Sequence, residues 1–406
     1  MVMTGILEGV RILDFGRYIA APYCAALLAD LGAEVIRIER PGGNDDRYVM
    51  PVGPDGEGAV FLQMNSNKRS LTLELGHPES GGVLRRLVES SDVVVANLPP
   101  RALARFGLDY AALSAIKPDI ILVSVTAFGS RGPEKDSIGF DGTGQAMSGA
   151  MALTGLPGQP FRSATSYVDY GTGLSAAYGA LAALLSRFRT GKGRHVEASL
   201  LGTALAIMNP VLIEEATNAR SRKPIGNRSP IAGPSDLFAT RDGWVMVQVI
   251  GQDMFERWAR LVDAPELVAD PRFADDLGRG EHGEILSRRM AQWCAERSSQ
   301  ACLAALRAAR LPGCPVLSPA EALSEPQHRE GGFFDWVEQP GLAMPVPIVA
   351  PPARLAGAGA GDADGDQDAT AARRPAPRLG ADTERILDAI GYSARDIAGL
   401  RGAGVI

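Results

Sequence analysis

From Leu7 to Gly129 the chain alternates short apolar runs with segments whose apolar residues recur at helical spacing. "VRILDF" is followed by "AAPYCAALLADLG" and then "AEVIRIE", which predicts a strand, a helix closed by Gly32 and a second strand, a βαβ unit. "GGVLRRLVESSDVVVANL" and "YAALSAIKPDIILVSVTAFG" repeat the pattern, and their unbroken apolar runs read as parallel strands buried on both faces. The expected fold class is α/β, a doubly wound, largely parallel sheet forming a large domain. Such sheets bind ligands outside the carboxyl ends of their strands, so the loops after Phe15, Asn97 and Phe128 are where function is expected.

Beyond them the pattern changes. A long helix running into "RTGKGRHVEASL" and a further helical run carry the large domain to residue 218, and the polar stretch 219–235 predicts a linker. "DLFATRDGWVMVQVI" predicts a hairpin turning at Asp242-Gly243, the opening of a smaller α+β domain over 236–325. Residues 326–406 return to the large domain; within them 356–372, "AGAGAGDADGDQDATAA", lacks bulky apolar residues and reads as a mobile loop. The tail holds two helical patterns, each opened by an Asp or Ser in a capping position.

Composition acts by exclusion. With 46% hydrophobic and 22% charged residues the 406-residue chain has an ordinary soluble globular profile. At a net charge of -6, with no basic face interleaved with aromatics, a nucleic-acid partner is not expected. Cys24, Cys294, Cys302 and Cys314 are scattered, which argues against a metal site or a disulfide framework and for a reducing cytoplasm. The N-terminal residues lack an export pattern and no apolar run reaches the length of a membrane span, so neither is expected.

Candidate chemistry narrows to carboxylates. Glu39 after the second strand suits a nicotinamide dinucleotide, but "FGRYIAAP" stands where the glycine loop belongs. His77, His195, His282 and His328 sit apart from any G-x-S-x-G. Asp169, in "SATSYVDYGTG", is flanked by small residues and precedes an apolar helical run whose free N–H groups and dipole are expected to keep it ionised. Two readings stay open: a helix N-cap, or a nucleophile for which Gly171 and Gly173 leave room for an acyl group.

The stretches "LEGVRILDF", "AAPYCAALLADLGAEVIRIERPGG", "NSNKRSLTLEL", "DVVVANLPPRALARFGLDY", "GFDGTGQAMSGAMALTG", "RTGKGRHVEASL" and "PRLGADTERILDAIGYS", with the Asp169 segment, resemble the class III CoA-transferases nearly end to end. This is the family of formyl-CoA transferase and crotonobetainyl-CoA:carnitine CoA-transferase. The resemblance implies a large domain built from both chain ends, a smaller domain between, and an interlocked homodimer. It implies an acyl-CoA and a small carboxylic acid as substrates, Asp169 as nucleophile forming an aspartyl-CoA thioester, and no cofactor or metal beyond coenzyme A itself. Backbone N–H groups near Gly171 to Gly173 are the expected oxyanion donors. CoA contacts are implied at Tyr18, Arg40, Leu73, Asn97 and Arg105, and substrate-proximal positions at Ile19, Asp141 and Gln252. Ile19 replaces the glutamine of formate/oxalate members, and their glycine-rich lid is absent here unless "VIGQD" at 249–253 does its work. Arg17, Arg47 and Arg162 are candidates for a second carboxylate on a dicarboxylic acid. α-Methylacyl-CoA racemases share the fold but carry "GHD" where this chain has "GFD", so Phe140 removes one proton-transfer base. A CoA-binding protein without turnover is the third reading.

Overall fold

The computed structural model describes residues 5–53, 57–353 and 373–406; the expected mobile loop at 356–372 lies outside the described residues. Five parallel strands come early: β1 (Arg11–Asp14), β2 (Glu34–Glu39), β3 (Arg69–Thr72), β4 (Val93–Ala96) and β5 (Ile121–Thr126). A sixth, β6 (Arg194–Ser199), completes the order β3-β2-β1-β4-β5-β6. All neighbours in this sheet pair in parallel. The strand order reverses between β1 and β4, which makes their carboxyl ends the switch point of the sheet.

Side chains alternate across each strand, so both faces are covered. Leu13, Ile36, Val94 and Leu122 pack against the helix Ser80–Glu89 and the C-terminal helices Thr383–Ala389 and Ala394–Gly402. Ile12, Val35, Val93 and Val123 pack against helices α1 (Ala20–Asp30) and α3 (Tyr167–Thr190). Between them in the chain, α2 (Asp141–Met147) follows the long loop after β5. The segment expected to end a helix, "RTGKGRHVEASL", instead holds β6: α3 stops at Thr190, Gly191 takes the left-handed φ of 66° there, and the chain turns into an edge strand. Arg194, His195 and Glu197 are exposed along that edge, which hides the strand from an apolar-run search.

The chain divides into two compact units, one of residues 1–148, 164–212 and 332–406, the other of 149–163 and 213–331. The boundary falls within α4 (Leu200–Asn218), earlier than residue 218. The stretch 219–235 is not a separate linker: Gly226 donates its N–H to Gly155 O at 2.9 Å, tying it to a small hairpin of the second unit. In that unit β7 (Ser235–Ala239), β8 (Trp244–Gln248) and β9 (Gly313–Pro315) form an antiparallel sheet, and α5 (Gln252–Leu261) packs Phe255 and Trp258 into its core. Thr240 N–H to Gly243 O at 2.9 Å closes the Asp242-Gly243 turn.

Candidate active site

The turn between β1 and α1 is pinned at successive residues. Asp14 Oδ1 accepts the Gly16 N–H at 2.8 Å. Asn97, one residue past β4, accepts the Arg17 N–H and donates to the Arg17 carbonyl, both at 2.8 Å. The Asp46 carboxylate lies beside the Tyr18 N–H, which favours its ionised form. Tyr18 needs this support, because its φ of 62° is a conformation that bulky L-residues disfavour. Buried charges anchor the pins: Lys68 Nζ lies 2.7 Å from Asp14 Oδ2, and Arg37 Nη2 lies 2.7 Å from Asp46 Oδ2. Removing either partner would leave an uncompensated buried charge.

From this turn a chain of contacts leads to Asp169. The Tyr18 ring stands edge-on to Phe140 at 5.9 Å between centroids. Phe140 opens α2, whose first residue, Asp141, is buried. Asp141 Oδ2 accepts the N–H groups of Val168 at 2.8 Å and Asp169 at 3.2 Å, while its Oδ1 accepts from the Gln145 amide. Ser166 occupies the N-cap position of α3 without a side-chain cap bond, so the cap comes from a different helix. Asp141 therefore faces the positive end of α3.

Asp169 lies in the first turn of α3 rather than ahead of it, which overturns the N-cap reading. Nor does the helix end keep it ionised. Burial, and then the Asp141 charge, raise its pKa to about 7. No hydrogen bond to its carboxylate oxygens occurs among the described residues.

Gly171 and Gly173 have a different role from the one expected. Both lie inside α3, where the i to i−4 ladder takes their N–H groups, so these cannot act as oxyanion donors. A Cβ at Gly173 would stand 2.8 Å from Ala20 O and 2.9 Å from the Tyr23 ring; one at Gly171 would stand 3.1 Å from Thr203 Cγ2. The glycines let α3 close on α1 and α4 rather than opening the approach to Asp169.

The other nominated residues of the first unit gather at the carboxyl edge of the sheet. Arg40 follows β2, exposed, and donates to Gly43 O and Asp45. Leu73 follows β3; its side chain is core and its N–H donates to Glu39 O at 2.7 Å. Arg105 ends the helix Pro100–Arg105 and is exposed, and Ile19 precedes α1 half-buried. Arg47 is not available to a substrate: it is buried, 2.6 Å from Glu39 and 2.8 Å from Glu57. That pairing also accounts for Glu39, the acid that had suggested a dinucleotide ribose. Gln252 and Arg162 belong to the second unit, where the Gln252 side chain engages Arg279 and Glu256. Asp46 and Lys68, the pins beneath Tyr18, carry no local sequence signal. Neither does Tyr170, whose hydroxyl donates to Gln63 at 2.7 Å and whose ring meets Tyr23 at 5.0 Å.

A doubly wound sheet whose strand order reverses between β1 and β4, with the Asp169 carboxylate unengaged in the first turn of α3, defines an α/β protein of the doubly wound class. Residues 7–383 match CoA-transferase family III, and the chain belongs to that family and is a CoA-transferase. It is 35% identical over 329 residues to succinyl-CoA–D-citramalate CoA-transferase of Chloroflexus aurantiacus, covering 79% of this chain and 80% of that one. It is 30% identical to succinate–glutarate CoA-transferase of Agrobacterium fabrum, covering 94% of each. In structure it is similar to a CaiB/BaiF family protein of Brucella suis, with a TM-score of 0.81, 29% identity and coverage of 96% and 100%.

Proposed function

We propose that the enzyme transfers CoA between carboxylic acids through an aspartyl-CoA thioester on Asp169, with succinyl-CoA and a second short dicarboxylic acid as the pair. The observation that carries this is the half-buried Asp169 carboxylate, unengaged in the first turn of α3 with its pKa raised to about 7. The relatives supply the substrate class, since their names pair succinate or succinyl-CoA with citramalate or glutarate. Asp169 attacks the thioester carbonyl and expels CoA thiolate, giving a mixed anhydride. The thiolate attacks the aspartyl carbonyl, releases the donor acid and leaves the aspartyl-CoA thioester. The acceptor carboxylate reverses both steps, and a thioester is exchanged for a thioester, so no cofactor beyond CoA is required.

The working form in this reading is a homodimer, interlocked as in the family. It is supported by an apolar stripe on α3, Leu174, Tyr178, Leu181, Leu185 and Phe188, at alternating spacings of four and three; Tyr178 is 77% and Phe188 89% exposed. By length and composition α4 could cross a membrane. We assign its apolar surface to the partner copy, because Pro210, Glu214 and Glu215 interrupt it. Free cysteines suit a cytoplasmic enzyme.

The test is trapping. Enzyme incubated with succinyl-CoA and quenched with hydroxylamine or borohydride should carry a modification on the peptide containing Asp169. Turnover retained by Asp169→Ala would refute the reading, as would α-deuterium uptake in heavy water without an adduct.

A further inference from the structure

We propose that Arg17 is the residue that recognises the remote carboxylate of the dicarboxylic acid, with Asn97 as the positioning residue that holds it. The proposal rests on the CoA-transfer reading of Asp169. Arg17 is exposed, and its guanidinium has no ion pair or hydrogen bond among the described residues. An unpaired guanidinium over a fixed backbone is suited to a carboxylate, which it can take with two parallel hydrogen bonds.

The backbone here is fixed to an unusual degree. Asn97 reaches from the end of β4 and grips both the N–H and the carbonyl of Arg17, across the point where the strand order reverses. The residue before it, Gly16, is held by Asp14. A flexible surface arginine would need none of this.

The turn is also bracketed to the nucleophile from two directions. On one side Tyr18 meets Phe140, and the next residue, Asp141, bonds the Asp169 N–H. On the other, Ala20 O lies where a Cβ of Gly173 would touch it, and Gly173 is four residues of α3, about 6 Å along its axis, beyond Asp169. Arg17 thus immediately precedes the segment Tyr18 to Ala20 that these two contacts bracket. Arg47, the other arginine of this unit considered for the role, is buried between Glu39 and Glu57.

Two measurements test this. With propionyl-CoA as donor, which lacks a second carboxylate, the wild type should prefer succinate to butyrate as acceptor in kcat/KM. Arg17→Gln should lose about 10- to 100-fold on succinate, the range of a charge-assisted hydrogen bond, with butyrate and the KM for propionyl-CoA unchanged. Arg17→Lys should recover part of the loss. An equal loss on both acids, a raised KM for propionyl-CoA, or no preference in the wild type would overturn the proposal. The second measurement needs no turnover: phenylglyoxal labelling of the Arg17 peptide should be slowed by succinate and glutarate and not by butyrate. Equal labelling rates overturn the proposal whatever the fate of the transfer reading. Protection of Arg17 without an Asp169 adduct would instead remove the transfer reading alone.

Discussion

With a pKa of about 7, Asp169 is half ionised at neutrality, and its nucleophilic form grows as pH rises through that value. The rate of adduct formation should therefore climb with pH to a plateau, with its midpoint near 7. The same shift has a stability counterpart of opposite sign. The folded pKa lies above the unfolded value of about 3.9, so protonation favours the fold, fully below that value and less and less as pH rises towards 7. Asp169→Asn removes the cost of ionisation. Its thermal midpoint should exceed the wild type's by a margin that widens from about pH 4 to 7 and is constant above; a margin independent of pH would contradict the account. Asp141→Asn keeps an oxygen for the cap but removes the charge, and should move the midpoint of adduct formation downward only in part, because burial is the larger cause. An unmoved midpoint would clear Asp141 of any electrostatic part. Asp169 is legible in the sequence through its small neighbours, but its charge state is not. That depends first on burial in the fold and then on Asp141, 28 residues away, which takes the N–H groups of α3.

Helices and strands were legible in proportion to their burial. β1, β2, β4 and β5 are buried on both faces and stand out as apolar runs, whereas β6 is an edge whose outward residues are charged. The glycines of α3 illustrate a different limit, since small residues beside a reactive group and small residues at a helix crossing look alike in sequence. The two roles separate on mutation. Gly173→Ala would push a methyl against the Ala20 carbonyl, a backbone atom that cannot give way, and should destabilise by about 1–3 kcal/mol despite the better helix propensity of alanine. Gly171→Ala meets only side-chain ends, the Thr203 methyl at 3.1 Å and Ile207 Cδ1 at 3.8 Å, and should be near neutral. Chemical denaturation of the pair checks this, and equal effects would mean that α3 is free to shift.

For the molecule as a whole, the apolar stripe along α3 predicts that no stable monomer persists at working concentration. Light scattering should give a dimer, and Phe188→Glu or Tyr178→Glu should yield monomer or aggregate; a monodisperse monomeric wild type would contradict the dimer. The division into two units was legible only roughly. The recruitment of residues 149–163 to the second unit depends on a backbone bond between Gly155 and Gly226, which leaves no compositional trace.

The pinned turn after β1 also bears on how this enzyme can be altered. Gly16 and Arg17 each donate an N–H to a different anchor, Asp14 and Asn97. An inserted or deleted residue there would put every later donor out of step with its acceptor. Acceptor range in this protein should then drift by exchange of side chains at a constant turn length, and alignments of descendants selected for new acids should show substitutions, never gaps, between Asp14 and Ala20.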